Sequence, residues 1–199
     1  AIGQLLATYR APLIAYVRSR GLSEHDAEDI IQDVFLQISD DQFLSRAHQS
    51  KGRFRTLLLR VTQHVFSSDF RKRLSQKRGG GRRALSLDDA LDVEVPHEET
   101  KRFNVHWAKN MLKLALERLH ADAPKLKAPY HQVLVLKYLQ GASNATIAEN
   151  VGCKLHDVDN YLYQGKERLR RYLRELARDY SSTPEEHDDE VKLLLEFEL

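Results

Sequence analysis

Apolar residues recur at helical spacing in almost every segment of this 199-residue chain, and no stretch sustains the alternation of a strand. That pattern restricts the fold class to all-α. The opening "LLATYRAPLIAYVRSRG" keeps its apolar residues on a helical period and stops at Gly21. "SEHDAEDIIQDVFLQI" follows, with Ser23 as a candidate N-cap and acids in the first turn, where the helix dipole favours them. "GRFRTLLLRVTQHVFSSDFRKRL" predicts one long helix. Three glycines, an acid run and Pro96 then break the period, which places a flexible linker over residues 79–100.

Beyond the linker, "WAKNMLKLALERL" sets Trp107, Met111, Leu114 or Ala115, and Leu119 on one face, where they read as core. "PYHQVLVLKYLQG" starts near Pro129 and stops at Gly141. "SNATIAENVG" and "KLHDVDNYLYQGKERLRRYLREL" then give a short helix, a glycine turn and a longer basic helix, the order of a helix-turn-helix. The expected organisation is two small helical domains, residues 1–78 and 101–180. A flexible linker joins them, the second contains the helix-turn-helix, and an acidic tail covers 181–199.

Charge is segregated, so the net value of +2 conceals the pattern. Residues 23–42 hold seven acids and no Lys or Arg, while 51–83 hold eleven Lys or Arg against Asp69 alone. Residues 86–100 return to six acids, and the last nineteen residues carry seven acids against Lys192. Alternating blocks of this kind predict one surface for a basic partner and another for a polyanion. No apolar run approaches the roughly 18 residues of a membrane span, so no membrane insertion is expected. No signal sequence is visible, and the single Cys153 allows no internal disulfide, so a cytoplasmic location is expected.

Catalytic motifs are missing from the sequence. "HEETK" at 97–101 lacks the second histidine of a zinc pair, and neither a phosphate-cradling glycine loop nor a nucleophile elbow occurs. Asp26, Asp29 and Asp33 could hold a metal, but three acids on one helix without histidine read better as a solvated face. No enzyme activity, cofactor or metal site is expected.

The basic block says more. Phe54, Leu58, Val61 and Val65 fall on one side of the long helix, with Leu59, Gln63, Phe66 and Phe70 roughly opposite and Arg53, Arg60 and Arg71 in a line beside them. Rings next to a row of arginines suit single-stranded nucleic acid, which stacks its bases and offers its phosphates. A central helix buried on both sides would equally explain the aromatics, though not the arginines. On the second basic helix Val158, Leu162, Gly165, Leu169 and Leu176 face inward, and His156, Asn160, Tyr163, Gln164, Glu167 and Arg171 face out. Asn160 and Gln164 lie one turn apart, and amides pair with adenine in the major groove. Lys166, Arg168, Arg170 and Arg171 would serve phosphates. Asp157 and Asp159 read as edge residues that help start the helix at a cost to phosphate binding.

Taken in order, these segments resemble the extracytoplasmic-function (ECF) group of sigma factors, the promoter-specificity subunits of bacterial RNA polymerase. "DAEDIIQDVFLQI" resembles the group's polymerase-binding helix, usually DAEDxxQExF. "KGRFRTLLLRVTQHVF" resembles the segment that melts and reads the −10 element. "SNATIAENVGCKLHDVDNYLYQGKERLRR" resembles the −35 reader, usually SYxEIAexLGiSxGTVKSRLhRArxrLR. "QKRGGG", "SLD" and "DDEVKLLLEFEL" are similar to a subset with a glycine-rich linker and a short acidic tail.

The resemblance implies that Asp26, Glu28, Asp29 and Asp33 dock on the β′ clamp helices of core polymerase, with the β subunit as a further contact. It implies −10 contacts by Lys51, Arg53, Arg60, His64, Phe66, Phe70 and Arg71, with the loop at 46–53 capturing a flipped base. It implies −35 contacts by His156, Asn160, Gln164, Lys166, Arg168 and Arg171. An anti-sigma factor or a regulatory kinase remains open as a further partner. The chain departs from the usual pattern at Leu57, His64 and Ser68, where Trp, Asn and Asp are common. It departs again at Lys154, Asp157, Asp159 and Tyr161, in place of Ser, Thr, Lys and Arg. These positions bear on which promoter is read. A helix-turn-helix regulator that works without polymerase is the alternative, and the acidic helix at 26–38 separates the two.

Overall fold

The computed structural model describes residues 2–39, 54–76, 94–179, 181 and 183–196, and all regular structure among them is helical. The chain divides into two compact units, Ala1–Trp107 and Ala108–Leu199.

In the first unit, α1 (Ile2–Arg18) packs on α2 (Glu24–Ile38), and α2 packs on α3 (Phe54–Gln76). Ser23 caps α2 as expected: its hydroxyl accepts the amide hydrogen of Asp26 at 3.1 Å and donates to the Asp26 carboxylate at 2.6 Å. Leu6, Tyr9, Leu13 and Val17 of α1 meet Ala27, Ile30, Ile31, Val34 and Ile38 of α2 and Leu58, Val61 and Val65 of α3 in the core. Tyr9 sets its ring edge to face on Phe54, at 5.8 Å between centroids.

The next helix, α4 (His97–Asp122), starts inside the stretch expected to be linker. Pro96 precedes it, its carbonyl accepting the amide hydrogens of Glu99 and Thr100, and Glu98 and Glu99 occupy the positive first turn. Residues of α4 up to Trp107 belong to the first unit, where Phe103 and Trp107 are fully buried. The expected linker positions 79–93 lie outside the described residues.

The second unit opens with the rest of α4, whose Met111, Ala115 and Leu119 are buried as their spacing predicted. A 3-10 turn (Ala123–Lys125) leads to α5 (Tyr130–Leu134), which runs into a π-helical turn (Val135–Leu139). The helix-turn-helix follows as α6 (Asn144–Val151) and α7 (Leu155–Asp179). Ser143 caps α6 by accepting the amide hydrogen of Thr146, and Gly152 closes it with φ of 68°, a left-handed backbone that favours glycine. The expected acidic tail holds a further helix, α8 (Pro184–Glu196), which packs on α7 with Leu194 and Glu190 buried. Its start is conventional: the amide of Glu186 donates to the Thr183 hydroxyl, proline leads, and two acids complete the first turn.

Candidate nucleic-acid and partner interfaces

The acidic face of α2 follows from its register. Ala27, Ile30, Ile31 and Val34 face the core, which turns Asp29, Gln32 and Asp33 to solvent. The four carboxylates named from the sequence differ in their engagements. Asp26 belongs to the N-terminal cap, and Glu28 accepts a 2.8 Å ion pair from Arg10. Asp29 and Asp33 are exposed, and His25 lies 3.8 Å from Asp29. On the same face Leu36 is 65% exposed, three residues beyond Asp33. An apolar side chain beside two acids makes a mixed docking surface, and the charge pattern alone did not point to Leu36.

Helix α3 is buried on two sides. From Leu57 to Val65 every residue is buried except Arg60, including the polar Thr62, Gln63 and His64, and Arg55 just before them is buried as well. Arg60 is half-buried and faces out from that run. Gln63 lies under the start of α4, and Phe66 lies under Arg20. Gln63 donates to the Tyr16 hydroxyl and to Glu99 Oε2 (3.3 Å), while the Arg20 guanidinium sits 4.5 Å above the half-buried Phe66 ring. Lys51 and Arg53 lie outside the described residues, as do the side chains of Phe70 and Arg71.

One carboxylate organises this region. Glu99 Oε2 accepts from the Tyr16 hydroxyl at 2.6 Å and from Arg20 at 2.8 Å, and Glu99 Oε1 lies 3.5 Å from Arg102. Burial pushes the Glu99 carboxyl up, but the Tyr16 hydrogen bond and the charges of Arg20 and Arg102 outweigh it and hold the group below the usual carboxylate range. Burial first, and then Glu99 at its hydroxyl, raise the Tyr16 phenol. Nearby, Arg55 donates to Asn104 Oδ1 at 2.8 Å and lies 4.5 Å over the Trp107 ring.

In the second unit the inward face of α7 is as expected, and the outward face is so in part. Val158, Leu162, Leu169 and Leu176 are buried, and so is Gly165, whose Cα faces the Leu134 side chain so closely that a Cβ would lie 3.2 Å from it. His156, Asn160, Tyr163 and Arg171 are exposed, and Gln164 and Glu167 half-buried. Both acids at the helix start have partners. Asp157 accepts the backbone amide hydrogen of Lys154 at 3.3 Å, the reciprocal half of a capping box. Asp159 accepts from Asn144 at 2.8 Å, and Asn144 in turn accepts from Lys137 at 2.8 Å. The acids therefore serve the geometry of the helix-turn-helix.

Two of the cations expected to serve phosphates rest on rings in the free chain. Lys166 lies 4.6 Å over Tyr138 of the π-helical turn, and Arg168 lies 5.0 Å over Tyr130, which meets Tyr161 edge to face. Arg170 pairs with Glu167, and Arg171 with Glu175 at 3.6 Å. Arg174 and Arg178 are exposed further along α7 and extend the basic surface beyond the residues named from sequence. Leu155 and Tyr163, in the first half of α7, are 57% and 61% exposed, and apolar groups of this kind can meet thymine methyls in a major groove. Among the described residues no three or more His, Cys, Asp or Glu gather as a metal cage, and no helix is long and apolar enough to cross a membrane.

A family model described as "ECF sigma factor" matches residues 1–175. The chain is 29% identical over 154 residues to "ECF RNA polymerase sigma factor SigE" of Mycolicibacterium smegmatis, covering 76% of this chain and 53% of the relative. It is 23% identical over 171 residues to "RNA polymerase sigma factor YlaC" of Bacillus subtilis, covering 86% of this chain and 91% of the relative. The match thus spans about half the length of the first relative and nearly all of the second. No solved structure matches the chain.

Proposed function

Because the chain belongs to the ECF sigma factor family, we propose that it binds core RNA polymerase and directs it to promoters, taking part in recognition and opening without chemistry of its own. The observation that carries this reading is the co-occurrence, within the matched span, of an acidic face on α2 and a helix-turn-helix with Asn160 outward. A regulator that only binds duplex DNA has no use for the first.

In this reading Asp29, Asp33 and Leu36 meet the β′ clamp helices, and Asp26 and Glu28 hold that face in shape. The α3 region with its preceding loop handles the −10 strand, and His156, Asn160, Gln164 and Arg171 meet the −35 duplex. The glycines at 79–81 and the acids of the last nineteen residues support membership of the subset with a glycine-rich linker and a short acidic tail, and polymerase and promoter as partners support a cytoplasmic location. The test is run-off transcription with core polymerase on a library of promoter fragments, with sequenced start sites. Specific starts that require the chain support the proposal. Transcription no different from core polymerase alone sinks it.

A further inference from the structure

The second face of α3 is covered by chemistry that imitates a nucleic-acid strand. The cover comes from one stripe of α4, in which Glu99, Asn104 and Trp107 reach Arg20, Gln63 and Arg55 while Phe103 packs edge to face on Tyr16 of α1. It offers a carboxylate to Arg20, an amide oxygen and an indole face to Arg55, and a carboxylate oxygen to Gln63. Anionic oxygens for guanidiniums and flat rings beneath cations are what a single strand would supply at the same positions. A permanent core would gain as much from plain apolar packing, since buried ionic groups are often replaced by hydrophobic ones without loss. Arginine and glutamine retained under this cover therefore suit a surface with a second occupant.

The geometry points to the start of α4, pinned by Glu99, as an intramolecular competitor that must leave α3 before single-stranded DNA can occupy the Arg20, Arg55 and Gln63 face. The inference rests on the reading of α3 as the helix that meets melted DNA, and adds that this helix is closed in the free protein. Its state has a built-in reporter, because Trp107 is the only tryptophan in the chain and is fully buried under Arg55.

The experiment titrates the full chain with a short single-stranded oligodeoxynucleotide of mixed sequence. It follows acrylamide quenching of Trp107, and anisotropy of the labelled oligonucleotide for the wild type, Glu99→Gln and Asn104→Ala. Quenching of Trp107 should rise severalfold as the strand binds. Each substitution should tighten binding about tenfold, because apparent affinity scales with the fraction of open molecules. Binding that leaves Trp107 shielded overturns the inference. So do substitutions that lower the melting temperature without tightening binding, and so does a lack of binding by all three proteins. Run-off transcription with core polymerase judges the sigma reading separately, and its success alongside any of these failures would remove the competitor alone.

Discussion

Tyr16 and Glu99, 83 residues apart in sequence, share a 2.6 Å hydrogen bond that ties the end of α1 to the first turn of α4. Arg20 and Gln63 reach the same carboxylate, so one ionised group satisfies three donors in a largely buried setting. Because its folded pKa lies below the ordinary value, Glu99 contributes stability above the usual carboxylate range and loses it as pH falls through the lowered value. Glu99→Gln should thus melt earlier than wild type at neutral pH, with the gap closing as the solution is acidified below that range. Thermal melts over an acid series would show it, and a gap independent of pH would contradict the assignment.

The exposed face of α2 allows a cleaner substitution. Reversing Asp29 and Asp33 to Lys should abolish co-purification with core polymerase, and Leu36→Ala should weaken it. Far-ultraviolet circular dichroism should stay unchanged, because exposed charges contribute little to stability. Retained polymerase binding by the double reversal would show that the acids are merely solvated.

On α3, Arg60→Ala should remove about one phosphate contact and flatten the salt dependence of single-strand binding accordingly. Phe66→Ala acts differently, since its ring already carries Arg20. It should lower thermal stability by about 1 kcal/mol through the lost cation–π contact and packing. If Phe66→Ala leaves the melt unchanged and weakens strand binding, the ring stacks on bases.

For α7, base preference should follow Asn160 and Gln164. Alanine at either should cost roughly 1–3 kcal/mol on the preferred duplex and relax discrimination at one or two adjacent positions. Asp157→Ala should lower stability by about 1 kcal/mol through the lost cap, on all sequences alike. Asp159→Lys removes the Asn144 bond and brings a second cation toward Lys137, so its gain in phosphate attraction should be partly cancelled. Selections from random duplexes would separate these roles. A changed −35 preference in Asp159→Lys, with none in the amide variants, would reverse them.

Much of this architecture was legible because it is local. Val158, Leu162, Leu169 and Leu176 declare their buried face by spacing, and Ser23, Ser143 and Gly152 mark helix ends by residue type. The start of α4 was legible too: Pro96 followed by Glu98 and Glu99 is a helix-start signal, lost among the acids of a presumed linker. Thr183, Pro184, Glu185 and Glu186 carry the same signal for α8. The two-sided burial of α3 was one of two readings that the sequence left open. Its wheel shows apolar groups on opposite sides, and what covers the second side sits on residues 99–107, far along the chain. The Asp159–Asn144 pair likewise appears only once α6 and α7 are set against each other.

The glycine at position 165 reaches beyond its own packing. The usual −35 reader carries alanine there, and here that methyl would stand 3.2 Å from Leu134 Cγ. Helix α7 and the α5 helix it packs on are thus matched as a pair, glycine with leucine. Recognition helices look interchangeable on paper, because their outward residues can be swapped as a cassette. In this chain a borrowed cassette bearing alanine would arrive slightly too thick for its seat, and would tilt or displace Leu134 unless that residue were trimmed as well. Retargeting this protein by grafting is therefore a problem of two helices, with the unseen face deciding where the visible one points.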